Sequence, residues 1–170
     1  MRSVHAISAS ELRTLACPWC GRAAGGAFGY QAVRDGRVIG VLTLGEPSSD
    51  AMLPSGSVVV STLWIVPDEV GERVATQLLE RACAKSLVIG RRWVVAEAHD
   101  GPADCRHPDE GWLERVGFVE HVRRRQWRLD LRRTAPVAGF LRTTAEALRR
   151  LLGGDGRPAP ASRSRSADGV

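Results

Sequence analysis

Cys17 and Cys20 stand two residues apart in CPWCG, and Cys105 and His107 stand one residue apart in DCRHPDE. Two thiolates at the first spacing, with Gly21 to close the turn, form half of a tetrahedral zinc site. A thiolate and an imidazole from elsewhere would complete it, so Cys17, Cys20, Cys105 and His107 are the candidate metal ligands. A redox couple is the second chemistry open to Cys17 and Cys20, but it wants the pair between a strand and a helix. Here a short helical pattern precedes the pair and Gly-rich sequence follows it. The third reading is two unpaired thiols, one of them buried. Cys83 falls on the apolar side of a helical pattern and reads as core.

A different chemistry belongs to the seam in STLWIVPDEVGERVATQLLERA, where strand-type residues give way to a helical pattern. The first N–H groups of a helix have no partner within it, which suits them to phosphate oxygens. Further along, Glu97 and His99, followed by Asp100, fall where the strand VVAEA ends. A carboxylate and an imidazole there could take a proton from a substrate. A strand-end Glu facing solvent or an Arg is the plainer reading of Glu97.

The elements that must position these groups follow from periodicity. SASELRTLAC predicts a short helix capped by Ser8 or Ser10. AFGYQAV and RVIGVLTL flank Asp35-Gly36 and predict a hairpin. SVVVSTLWIV and RRWVVAEA read as strands, and Val70, Val74, Leu78 and Ala82 recur at helical spacing between them. EGWLERV predicts a short helix, and FVEHVRRRQWRLDL a long strand or hairpin arm. FLRTTAEALRRLL predicts a final helix, and the Gly-, Pro-, Ser- and Arg-rich segment from Gly153 onward predicts a disordered tail. An antiparallel start with a crossover helix implies α/β or α+β.

With 170 residues, 44% of them hydrophobic, one domain with a proper core is expected. No apolar run of about 18 residues occurs, so no membrane span is expected. MRSVHAISASELRTL lacks a continuous apolar stretch, which argues against a secretory leader and makes a cytoplasmic location the expectation. The net charge of +5 rests almost wholly on Arg, since Lys85 is the single lysine. HVRRRQWRLDLRR, with Trp127 among arginines, could suit nucleic acid. Strict alternation, however, puts Arg on both faces, and a charged edge strand explains the run as well. Nucleic acid is therefore not the expected partner.

From about Phe28 to Leu131 the chain resembles the GNAT superfamily of acyl-CoA-dependent N-acetyltransferases. The resemblance is carried by Ile65-Val66-Pro67, the loop Val70-Gly71-Glu72-Arg73-Val74-Ala75 leading into Thr76-Gln77, and the closing element WLERVGFVE with Gly117-Phe118. It implies a mixed, mostly antiparallel sheet flanked by helices, splayed between strands ending near Val66 and Ala98. The implied arrangement is an appendage over 1–26, a core domain over 27–134, a helical extension over 135–153 and a tail over 154–170. It also implies acetyl-CoA as substrate, its pantetheine arm against Leu63 and Ile65 and its pyrophosphate on Val70, Gly71, Glu72, Arg73, Val74, Ala75 and Thr76. Glu97 and His99 are then the catalytic candidates. The acceptor would be an amine of a small molecule or protein, and a homodimer is among the assemblies allowed. A basic acceptor groove beside HVRRRQWRLDLRR would favour an acidic acceptor.

The chain departs from the family pattern at three places. Arg73 replaces the first Gly of the loop, Val70 replaces its Gln or Arg, and Leu113, beside Trp112, stands where a Tyr often serves as acid. Glu69 and Glu72 add negative charge near the phosphate seam. Arg73 could bind phosphate through its guanidinium, fill the groove, or simply face solvent. Acetyl transfer is the leading reading, and a catalytically degenerate binding or regulatory protein, zinc-stapled at its cysteines, is the alternative.

Overall fold

A computed structural model of the chain describes residues 1–49, 51–70, 73–98 and 104–133. Gly71, Glu72, His99, Asp100 and the expected C-terminal helix and tail lie outside the described residues. The elements run β1 (Arg2–Ala6), α1 (Ala9–Thr14), β2 (Phe28–Arg34), β3 (Arg37–Gly45), β4 (Ser57–Ile65), α2 (Val74–Val88), β5 (Trp93–Glu97), α3 (Glu110–Arg115), β6 (Val119–Val122) and β7 (Gln126–Asp130). They form a seven-stranded sheet in the order β1-β2-β3-β4-β5-β7-β6. Among the described strands only β4 and β5 pair in parallel, joined by α2 as the crossover. This is the mixed, mostly antiparallel sheet that the resemblance implies.

Local chemistry explains the element boundaries. Ser8 caps α1 in a capping box with Glu11. Asp35 and Gly36 both take positive φ, 51° and 77°, which the tight turn between β2 and β3 demands. The helical pattern does not reach back to Val70, as the sequence had suggested. Pro67–Glu69 forms a single 3₁₀ turn, Val70 is exposed, and α2 begins at Val74. β1 is an addition that the sequence pattern did not announce. RSVHA buries little, and it is held by pairing with β2 from Arg2↔Arg34 to Ala6↔Tyr30. The Arg-rich run is a hairpin, with a turn at Arg123–Arg125 and Arg124 at φ 55°. The turn breaks the alternation assumed for one continuous strand. Trp127 and Leu129 therefore face the core, while β6 is an exposed edge.

One irregularity shapes the centre of the sheet. Leu44 pairs with Val60 and Thr43 with Thr62, which leaves Ser61 as an extra residue on β4. The consequence is visible in burial. Val58 and Val60 pack in the main core before the bulge, whereas Leu63 and Ile65 pack against it afterwards. Trp64 then joins a second cluster with Ile7, Val41, Cys17 and Cys105 on the opposite face. Just before the bulge, β4 parts from β5. Their pairing spans Ser57↔Trp93, Val58↔Val94 and Val59↔Val95, while β4 continues to Ile65. A bulge bends and twists its strand, and here it opens the parallel pair into a V.

The main core packs α2 through Val74, Leu78, Leu79, Ala82 and Cys83 against Leu42, Leu44, Val58 and Val94. Close approach at the start of α2 depends on Gly40, where an added Cβ would lie 2.6 Å from Ile65 Cδ1 and 3.0 Å from Val74 Cγ1. No described helix is long and apolar enough to cross a membrane.

Candidate functional site

A cavity of about 950 Å³ runs along the parted edge of β4. At one end it meets Val70, Arg73, Val74, Ala75 and Thr76 at the start of α2. Leu63, Trp64 and Ile65 form its wall, and Trp112 and Arg115 of α3 face it. At the other end it meets Cys17, Trp19, Cys20, Arg22 and Cys105. Its walls are mainly apolar, so the polar groups at the two ends decide what it can bind.

The helix end is a set of backbone donors. The first bond inside α2 runs from Gln77 N–H to the Arg73 carbonyl at 3.0 Å. No side chain among the described residues caps the helix. The N–H groups of Val74, Ala75 and Thr76 precede that first bond, so they are the orphan donors of a 15-residue helix opening on a cavity. Arg73 holds φ 59° and ψ 18°, a left-handed conformation that Gly adopts more readily than Arg. Glu69, expected to oppose an anion here, is buried, and its Oε1 accepts from Arg34 at 2.8 Å. Glu69 Oε2 is buried with no hydrogen bond among the described residues.

Along the wall, the loop after β5 reaches β4. Leu63 N–H donates to the Cys105 carbonyl at 2.7 Å, so one backbone group expected to face a pantetheine arm already has a partner. Leu113 is fully buried in the main core, and its neighbour Trp112 is the residue that lines the cavity. The only tyrosine, Tyr30, lies on β2, and burial raises its pKa. Glu97 ends β5 exposed and outside the described lining of the cavity.

The cysteine end rests on a tight knuckle. Cys17 N–H donates to the Arg22 carbonyl at 2.8 Å, Gly21 N–H donates to the Cys17 carbonyl at 2.9 Å, and Gly21 takes φ 68°. The Sγ atoms of Cys17, Cys20 and Cys105 all lie within 4.8 Å of one another, and Cys20 and Cys105 are 3.3 Å apart. The Arg22 backbone N–H, followed by the Cys105 thiol, lowers the Cys20 pKa. Burial, then the two other cysteines, pushes Cys105 up to about 12. His107 turns towards Asp104 instead, with Nδ1 3.0 Å from Oδ1. Burial would raise the Asp104 pKa, but the N–H groups of Arg106 and His107 and the imidazole outweigh it and hold the carboxyl at about 2. Such a carboxylate is a poor base.

The structure therefore brings Cys17, Cys20 and Cys105 together with Leu63, Ile65, Arg73, Val74, Ala75 and Thr76 around one cavity. It leaves Glu97 apart from them. Sequence reasoning missed Trp19, Trp64, Trp112 and Arg115 as lining residues. The ring centroids of Trp19 and Trp64 lie 5.6 Å apart, edge to face. Only the choice of Trp beside each motif hinted at them.

No protein-family model matches the chain, and no curated protein does. Solved structures do resemble it. The ribosomal-protein-S18-alanine N-acetyltransferase of Escherichia coli matches 77% of this chain and 94% of its own at 14% identity and a TM-score of 0.52. An IAA acetyltransferase from Bacillus cereus matches 75% of this chain and 97% of its own, at 16% identity and 0.52. An acetyltransferase assigned to the GNAT family from Desulfovibrio desulfuricans matches 61% and 68%, at 18% identity and 0.51. The chain has the fold of these GNAT acetyltransferases.

Proposed function

We propose that the cavity binds an acyl-coenzyme A and that the chain transfers its acyl group to an amine. The observation that carries this reading is the uncapped first turn of α2 opening on a cavity along the splayed edge of β4. A pyrophosphate can be received by the N–H groups of Val74, Ala75 and Thr76, favoured by the helix dipole. The Arg73 guanidinium adds a fixed positive charge beside them. The acyl arm then lies against Leu63 and Ile65, and the likeness to acetyltransferase folds supports the same use of the seam.

Attack requires a neutral amine held near the thioester, and positioning alone lowers much of that barrier. We assign proton removal to Glu97, acting through water because it lies outside the described lining of the cavity, with His99 as the second candidate. Glu97→Gln should then lower kcat by about 100-fold, with the pH profile shifted. An unchanged profile would give that step to solvent.

A second reading, a protein that binds acyl-CoA without transferring it, is favoured by two observations. Leu113, buried in the core, offers no proton at the place where the resemblance puts an acid, and the Cys105 carbonyl occupies the Leu63 N–H. Calorimetric titration with acetyl-CoA, using free CoA as control, tests what both readings share. Saturable binding in the micromolar range is expected, and no heat at millimolar ligand would overturn both. Release of CoA thiol on adding a panel of amines then separates transfer from binding.

A further inference from the structure

We infer that Cys17, Cys20 and Cys105 hold a zinc ion as three thiolate ligands, with a fourth position open to the cavity they line. This inference stands apart from the acyl-transfer reading and needs only the cysteine end of the cavity.

Three sulfurs from two segments 85 residues apart converge here, all within 4.8 Å of one another. Thiolates on one tetrahedral zinc, with Zn–S near 2.3 Å, stand about 3.8 Å apart, so small shifts seat the ion. Both segments are already held in place. The knuckle is closed by its two backbone bonds and the left-handed Gly21, and Cys105 is tied to β4 through Leu63. Soft thiolates select zinc over the hard cations that carboxylates prefer. Three thiolates and a divalent ion leave one net negative charge, and Arg22 stands beside it in the lining. A disulfide would join Cys20 to Cys105 and would give no role to the third sulfur gathered with them. His107 does not complete the set among the described residues, because neither of its ring nitrogens gathers with the three sulfurs. The ion would therefore fasten Cys105 to the N-terminal knuckle of Cys17 and Cys20, with water as fourth ligand.

The test uses the full chain purified under reducing conditions without chelator. Elemental analysis should give one zinc per chain, and Cys17→Ser, Cys20→Ser and Cys105→Ser should each lose it. Cys83→Ala and His107→Ala should keep it. Because a serine variant could fail to fold, the wild-type protein carries a second measurement. Cobalt added after chelation should produce a thiolate charge-transfer band whose strength matches three sulfurs, and a thiol reagent should gain three reactive groups on chelation. A metal-free protein that takes up neither zinc nor cobalt overturns the inference. So does a Cys20–Cys105 disulfide found by mass spectrometry in metal-free protein, and so does loss of zinc in a folded His107→Ala variant, which would close the fourth position.

Discussion

At one end of the cavity the chemistry belongs to the backbone of α2. At the other it belongs to three side chains drawn from two distant loops. The helix end needs no particular residue to present its donors, only a helix that starts in the right place. The cysteine end needs particular atoms and would lose its chemistry with any one of them. Substitutions should therefore act on the first end through folding and approach, and on the second through composition.

The largest effect expected at the helix end is indirect. Leu78 is fully buried under α2, and Leu78→Ala should cost about 2–5 kcal/mol in chemical denaturation. Acetyl-CoA affinity should fall with it while zinc content holds. Loss of both together would mean that the two ends are one cooperative unit. Arg34→Ala comes next. It leaves the buried Glu69 carboxylate without its ion-pair partner beside the anion seam. Because Arg34 is 37% exposed, solvent screens the pair, and a loss of about 1–2 kcal/mol is expected. Acetyl-CoA should bind more weakly in calorimetry, and Glu69→Gln should reverse that part of the loss.

Arg73 sharpens the comparison, since its guanidinium is a side-chain contribution at the helix end. Its left-handed backbone costs energy that Gly avoids. Arg73→Gly should thus raise stability by about 0.5–1 kcal/mol by thermal melt. If the guanidinium touches phosphate, both Arg73→Gly and Arg73→Ala lose affinity. If it fills the groove, Arg73→Gly gains affinity. The smallest effect lies outside both ends. Arg92 binds Asp130 across β5 and β7 at 3.0 Å and lowers the Asp130 pKa. A carboxyl lowered in the folded state stabilises above its unfolded pKa, and that contribution disappears as pH falls through the folded value. Wild type should exceed Asp130→Asn by less than about 1 kcal/mol near neutrality, and the gap should close below about pH 4. Acetyl-CoA binding and zinc content should not change.

Legibility in the sequence follows the same division. α2, the β2–β3 hairpin and the strand before the seam were readable because each repeats an apolar period or carries a turn signal. β1 was not, because RSVHA has little to bury and is held by backbone pairing to β2. Val70 continued the helical spacing by coincidence, and Pro67 set the true break. Cys105 could be named as a partner of Cys17 and Cys20 because so few ligand-type residues exist. Nothing local indicated that its carbonyl would take the Leu63 N–H, since that bond joins segments 42 positions apart. The Arg-rich hairpin was misread in phase because a turn of three charged residues carries no Gly or Pro to mark it.

Ser61 has a consequence of its own. It touches no site chemistry, yet it is the residue that switches which side of β4 meets the core. Without it, Leu63 and Ile65 would exchange faces with Thr62 and Trp64, and the wall of the cavity would turn inside out. The binding surface is thus encoded partly as arithmetic. Ser61 should accept many replacements and no deletion, so that a frame of spacing, rather than a choice of letters, is what this stretch of chain must keep.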